Sequence, residues 1–393
     1  MSRYRLCPSP AQEAVLRDHC AHARYVWNLA VEQQSWWRPG RTSAPGYLEQ
    51  CRQLTAARAA HDWLRAGSQM VQQQALRDFA QAMVNFFAGT HGRPSWRKAS
   101  RDEGFRIVAV KPGHVRRLSR KTGEVWVPKA GWVRFRWSRA TPAFRSYRVT
   151  RDRASRWHIA FAAIPEPIPG PDSDCVVGID RGVAISAAMS TGELLIVARL
   201  SPARQRRLRC LQRKLARAGR GSRRRTRAKL AVARLKARET DARKDWAEKT
   251  STDLARRFDV IRVEDLKIYK MTHSAKGTGE APGRNVRQKA GLNREIMRSG
   301  WGLLVERLEH KAPGRVERVN PAFTSQRCSA CGHVAAESRK SQALFACVAC
   351  GFTLSADINA AKNIAAGHAV TARGGFRVAG PVNREPQLAL LPA

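Results

Sequence analysis

The stretch CSACGHVAAESRKSQALFACVACGFTLSADINAAKNI, residues 328–364, decides how this chain is read. It holds two CxxC pairs, Cys328/Cys331 and Cys347/Cys350, separated by fifteen residues and followed closely by Asp357. Each CxxC lets two thiolates reach one ion, and the intervening residues suffice for a short hairpin, so four sulfurs close a tetrahedral zinc shell. Gly332 and Gly351 directly follow the second Cys of each pair, where a tight turn needs positive φ. A closed four-thiolate shell leaves no position for water, so this zinc stabilises a fold and the chemistry must come from other residues. The alternatives, chance scatter or disulfides, fit poorly with a chain whose MSRYRLCPSP start lacks an apolar signal core.

Composition bounds the rest. The 393 residues allow two or three domains, and no apolar run approaches the roughly 20 residues that span a bilayer. A soluble protein of the prokaryotic cytosol is expected, acting at the nucleoid and needing no membrane and no small-molecule cofactor. Cys7, Cys20, Cys51, Cys175 and Cys210 are odd in number and follow no pairing pattern, as expected of reduced thiols. The formal net charge is +41, from 72 Lys and Arg against 31 Asp and Glu. Self-repulsion of this size calls for a polyanionic partner, and nucleic acid fits it best. A membrane-surface role would want a basic helix with a broad apolar face, and none stands out.

From Pro8 to about Phe87 the pattern is helical, with Leu16, Tyr25, Trp27, Leu76, Phe79, Met83 and Phe86 at helical spacings and a break near Gly40. Trp27, Trp36, Trp37 and Trp63 could stack on bases, but most are expected in the core. Between about Phe105 and Ile164 the period changes to two: in GWVRFRW, Val133, Phe135 and Trp137 face one way and Arg134 and Arg136 the other. This predicts a small β-barrel or curved sheet with a basic face. Pro165, Pro167, Pro169 and Pro171 then form a stiff linker.

Beyond the linker, CVVGID predicts a buried strand ending at Asp180, followed by a hairpin turning at Thr191-Gly192. No acidic residue lies between Glu193 and Glu239, a span dense in arginine. Leu208, Leu211 and Leu215, then Leu230 and Leu235, give an apolar stripe, so two basic helices broken at 219–222 are predicted. Arg206, Arg207, Arg213, Lys214, Arg223, Arg224 and Arg227 are the candidate phosphate contacts. FDVIRVEDL is again a short strand, ending at Glu264 and Asp265. Residues 272–290 read as a loop, GLNREIMRSGWGLLVERLEHKA as one helix, and 358–366 as the helix carrying Asp357 near its cap. Residues 373–393 read as a disordered tail.

Asp180, Glu264 and Asp357 thus share a context, two at strand ends and one at a helix start. Three carboxylates suit two divalent cations about 4 Å apart, clamping the attacking and leaving oxygens of a phosphodiester displacement. Magnesium prefers such hard oxygen ligands. An acid near a strand or helix end is also commonly a cap or a solvated charge, and spacing alone does not choose between these.

The runs VGIDRG, IRVEDL and SADINAAKNI, with CSACG and CVACG before the last, resemble the TnpB family of transposon-encoded RNA-guided nucleases, also called OrfB transposases and related to type V CRISPR effectors. RLCPSPAQEAVL, ARYVWNLAV and NPAFTSQRCSACGHV are similar to further parts of that family, so the resemblance covers most of the chain. It implies a multidomain α/β protein. A wedge-like β-barrel would occupy 1–10 and 100–165, and a helical recognition region 11–99. An RNase H-like (RuvC) nuclease domain would occupy 172–321 and 356–372, with the basic hairpin at 200–255 and a zinc ribbon at 322–355.

The resemblance further implies that Asp180, Glu264 and Asp357 are the catalytic acids, holding magnesium as two ions, and that Cys328, Cys331, Cys347 and Cys350 hold zinc. Arg181 departs from the aliphatic residue common at that place. The partners implied are guide RNA and target DNA, and the activity is magnesium-dependent DNA cleavage beside a short motif. A compact type V CRISPR effector, an RNA-guided repressor and a protein-only transposase are the alternatives.

Overall fold

The computed structural model describes residues 2–37, 40, 44–101, 103–108, 110–111 and 113–367, and the expected tail at 373–393 lies outside them. The chain divides into two compact units, residues 1–165 with 206–235, and residues 166–205 with 236–393. Among the described residues no helix is long and apolar enough to cross a membrane.

The first unit begins with β1 (Ser2–Cys7), α1 (Pro10–Ser35), α2 (Tyr47–Ala60), α3 (Asp62–Ala66) and α4 (Gln69–Phe87). Helix α1 starts where its sequence dictates. Ser9 and Gln12 form a reciprocal capping box, and Pro10 occupies the first turn, where no N–H is missed. Six more strands follow: β2 (Gly104–Ile107), β3 (Val115–Arg117), β4 (Thr122–Val127), β5 (Gly131–Arg136), β6 (Tyr147–Arg151) and β7 (Trp157–Phe161). They join β1 in a seven-stranded antiparallel sheet ordered β2-β6-β7-β1-β5-β4-β3. Strand β1 changes partner midway: Ser2 to Arg5 pair with β7, and Leu6 and Cys7 with β5. The period of two holds in β5, where Val133 and Phe135 are buried and Arg134 and Arg136 exposed.

The tryptophans depart from expectation. Trp27 is buried with its indole N–H on the Ser95 carbonyl, but Trp36, Trp37 and Trp63 are each about half exposed. Trp36 caps α1 beyond its last buried turn, and Trp63 lies flat over His22 with only one face covered by it.

Residues 206–235 bring the first unit most of α5 (Pro202–Arg217) and the start of α6 (Arg223–Arg257). The turn between them is held by Arg225, whose guanidinium donates to the carbonyls of Leu215 at 2.8 Å and Ala218 at 3.0 Å. These are carbonyls that the end of a helix leaves without an internal donor.

The second unit contains β8 (Val176–Asp180), β9 (Ala187–Met189), β10 (Leu194–Leu195), β11 (Val260–Glu264), α7 (Ile268–Met271), α8 (Val286–Ser299), α9 (Trp301–Lys311), β12 (Val316–Val319), β13 (Leu344–Ala346), β14 (Thr353–Ser355) and α10 (Ala356–Ala365). Its five-stranded sheet runs β10-β9-β8-β11-β12, with β8, β11 and β12 parallel and the hairpin strands antiparallel. On one face Val177, Ile179, Ile261 and Val263 pack with Leu254 of α6 and Leu304 and Leu308 of α9. The segment read as a single helix is two, because Gly300 adopts φ 78° between α8 and α9, a conformation only glycine takes without cost. Helix α8 also begins at Val286, inside the predicted loop.

Candidate functional site

Strands β8 and β11 are parallel neighbours with Ile179 opposite Val263, so the next residues, Asp180 and Glu264, leave the sheet side by side at the same carboxyl edge. Adjacent strands lie about 4.8 Å apart. The period of two puts Gly178 and Asp180 on one face, together with their partners Arg262 and Glu264. Helix α10 covers that face. A Cβ on Gly178 would stand 2.1 Å from the Ala361 carbonyl oxygen and 2.3 Å from the Ala365 nitrogen, so only glycine admits the helix this closely. One helical turn from Ala361 back to Asp357 is about 6 Å, and two strand residues from Gly178 to Asp180 about 6.6 Å. The close approach at Gly178 therefore delivers Asp357 to the level of Asp180. Arg262 donates to the Ala365 carbonyl at 2.5 Å, a cation closing the far end of the same helix.

The three acids act on one another. Burial, then the charge of Glu264, then that of Asp357 push the Asp180 carboxyl up to about 8, against an opposing pull from Arg339. Burial also raises Asp357, again opposed by Arg339. Glu264 is 9% exposed, and its Oε1 accepts a 2.6 Å hydrogen bond from the Thr324 hydroxyl. Arg181 is buried beneath the cluster and donates to the Glu264 backbone carbonyl; burial lowers its basicity while the charges of Glu264 and Asp180 oppose that loss. Three carboxylates, Glu264 buried and Asp180 and Asp357 half-buried, that raise one of their own members this far make a donor set matched to a hard divalent cation.

The cysteines gather as their spacing requires. Their four Sγ atoms lie within 4.8 Å of one another, with Cys328–Cys350 at 3.8 Å and Cys331–Cys347 at 3.7 Å. A tetrahedron of sulfurs at the zinc–sulfur distance has an edge of about 3.8 Å. The two knuckles repeat one hydrogen-bond pattern: Cys328 N–H to His333 O and Gly332 N–H to Cys328 O, then Cys347 N–H to Phe352 O and Gly351 N–H to Cys347 O. Gly332 and Gly351 take φ 76° and 72°, as the turns demanded. The Cys350 backbone N–H draws the Cys347 thiol down to about 6, while the crowding of sulfurs pushes the Cys350 thiol the other way, so the four thiols share protons as one group.

The seven candidate phosphate contacts, Arg206, Arg207, Arg213, Lys214, Arg223, Arg224 and Arg227, are all exposed on α5 and the start of α6. Sequence reasoning missed four polar residues near the acids. Thr324 and Arg339 sit in stretches without periodicity. Asn359 and Asn363 did carry a signal, two amides one turn apart on the alanine- and isoleucine-rich side of the helix, and both are buried.

Three family models match the chain: a helix-turn-helix domain of OrfB at residues 2–41, the OrfB "Probable transposase" at 158–275, and a Cas12f1-like TNB domain at 301–364. "Putative RNA-guided DNA endonuclease InsQ" of Escherichia coli K12 is 34% identical over 392 residues, covering 98% of this chain and 96% of its own. The chain belongs to the TnpB (OrfB) family. A second relative, "Putative RNA-guided DNA endonuclease" of Streptomyces pristinaespiralis, is 31% identical over 95% of this chain and 90% of its own. The TnpB-family fold extends to the effector solved in the Cas12f1–sgRNA–target DNA complex. That likeness has a TM-score of 0.54 at 14% identity and covers 91% of this chain and 83% of the other.

Proposed function

We propose that the protein is an RNA-guided DNA endonuclease with one nuclease centre, formed by Asp180, Glu264 and Asp357 on a RuvC-type, RNase H-like sheet. The observation that carries this reading is the convergence of the three acids, close enough for the charges of Glu264 and Asp357 to add to burial in raising Asp180 to about 8. The near full-length likeness to relatives named as RNA-guided DNA endonucleases supplies the substrate class. Guide RNA and target DNA are then the partners, base pairing selects the sequence, and the basic surfaces bind the heteroduplex by its backbone. The protein would act on DNA in the cytosol.

Asp180, Glu264 and Asp357 would hold magnesium, as two ions. Bound there, magnesium would activate water for attack and offset charge on the leaving oxygen. The chain's own contribution is to fix three carboxylates on a rigid strand pair and a helix. Arg181 anchors the strand ends from below through the Glu264 carbonyl. Arg339 places a guanidinium charge beside Asp180 and Asp357, where it would offset the charge of a phosphate brought to the acids. Cys328, Cys331, Cys347 and Cys350 would hold a structural zinc.

The test begins with expression beside native flanking DNA, purification in high salt and sequencing of the bound RNA. A discrete RNA with a variable end, programming magnesium-dependent cleavage of matched DNA, is expected. Asp180→Ala and Glu264→Ala should each lower cleavage by about 10²–10³-fold or more and leave RNA binding intact. Cutting by both variants at the wild-type rate, or activity on transposon ends without RNA, would refute the reading.

A further inference from the structure

The Thr324 hydroxyl is 2.6 Å from Glu264 Oε1, and the residue is 3% exposed. Its one proton has a second acceptor in reach, the Pro321 carbonyl at 3.2 Å, but the shorter bond to a carboxylate is the stronger. Valine would fill the same volume, so packing alone does not explain a buried hydroxyl here.

The segment that carries Thr324 is itself clamped. Asn363 Nδ2 donates to the Thr324 carbonyl at 2.9 Å and to the Arg327 carbonyl at 2.7 Å. Asn359 Nδ2 donates to the same Arg327 carbonyl at 2.7 Å, and its Oδ1 accepts from the Ser329 N–H at 2.9 Å. Arg327 and Ser329 flank Cys328, while Asn359 and Asn363 lie on the helix whose first turn holds Asp357. One chain of hydrogen bonds therefore runs from the first cysteine knuckle through α10 to the Glu264 carboxylate.

We infer that Thr324 is a positioning residue: its hydroxyl fixes the Glu264 carboxylate for a divalent cation, and the Asn359–Asn363 clamp ties that hydroxyl to the cysteine knuckle. The inference rests on the carboxylates being a cation site. Glutamate has three rotatable bonds beyond its backbone, so a hydrogen bond to its carboxylate removes freedom that a cation would otherwise have to remove. Partners of this outer kind set metal affinity by about 10–100-fold.

The test follows Mn²⁺ binding to the full chain freed of RNA in high salt, read by electron paramagnetic resonance, and the Mg²⁺ concentration that half-saturates cleavage by the RNA-loaded protein. Thr324→Val should weaken the Mn²⁺ site that Asp180→Ala abolishes by about 10–100-fold and raise the Mg²⁺ midpoint likewise. Zinc content should not change. Thr324→Ser should restore both, and Thr324→Ala should repeat the valine effect where valine disturbs folding. Wild-type Mn²⁺ affinity in folded Thr324→Val and Thr324→Ala, with Asp180→Ala still abolishing the site, overturns the role of Thr324 alone. Indifference of Mn²⁺ binding to Asp180→Ala overturns the cation site and the inference together.

Discussion

The cysteine quartet and the carboxylate trio share helix α10, which carries Asp357 and clamps the first knuckle through Asn359, yet they are built in opposite ways. The quartet is local: two five-residue turns with one repeated hydrogen-bond pattern bring four sulfurs together. The trio draws its members from positions 180, 264 and 357, and its geometry depends on a strand register, a glycine and a helix end. A site of the first kind is written in spacing. One of the second kind is written in topology, and is broken by residues outside the trio itself.

The largest expected effect comes from the local site. Structural zinc contributes about 10–16 kcal/mol of apparent binding energy in small zinc folds, and the ribbon has little else, with a core of Cys328, Phe345, Cys347 and Ala356. Cys347→Ser, or a strong chelator, should therefore remove zinc, open residues 322–355 to protease and abolish cleavage through the loss of the Arg327 and Ser329 anchors. Zinc analysis and limited proteolysis check this. Persistence of cleavage in zinc-free protein would show that the two sites are independent.

Gly178→Ala separates them from the other side. Its Cβ would meet helix backbone at 2.1 Å, and backbone cannot swing aside as a side chain can. Overpacking costs about 1–3 kcal/mol, occasionally more, and here relief must come from lifting α10 off β8. A lower melting temperature and strongly reduced cleavage are expected, with zinc stoichiometry unchanged. Loss of zinc in this variant would mean that α10 supports the knuckle more than the knuckle supports α10.

The same contrast explains what the sequence could tell. The cysteines, the strands ending at Asp180 and Glu264 and the helix start at Asp357 were legible, because each rests on a local pattern. That α10 packs on the face holding Gly178 was not, since alternation marks a buried face without naming its partner. Thr324 was invisible because its role lies in one contact 60 residues away. The tryptophans misled, since helical spacing places Trp36 and Trp63 on a stripe but cannot show that the covering layer stops short of them. Gly300 was read through with Gly291 and Gly302, which do sit inside helices, yet Gly300 breaks the pattern.

A milder probe of the topological site is Arg262→Met, which removes the donor to the Ala365 carbonyl and the 2.7 Å ion pair with Glu317. Glu317 is half exposed, so that pair counts for little, and the helix-end bond dominates. A loss of about 1–2 kcal/mol is expected, read by thermal unfolding, with cleavage reduced less than in Gly178→Ala.

The smallest effect belongs to the basic hairpin, where neighbouring arginines should behave differently. Arg223, Arg224 and Arg227 are exposed, whereas the Arg225 guanidinium is committed to the Leu215 and Ala218 carbonyls. A cation that neutralises a phosphate steepens the fall of log K with log salt by about 0.7–0.9. Gln at 223, 224 and 227 together should flatten that slope by about two units or more while leaving the melting temperature nearly unchanged. Arg225→Gln should do the reverse, lowering the melting temperature and leaving the salt slope of RNA binding as it was. Equal slopes in the two variants would mean that the run is a solvated face with no phosphate within reach. A flattened slope in Arg225→Gln alone would mean that nucleic acid recognises the shape of the turn, with charge secondary.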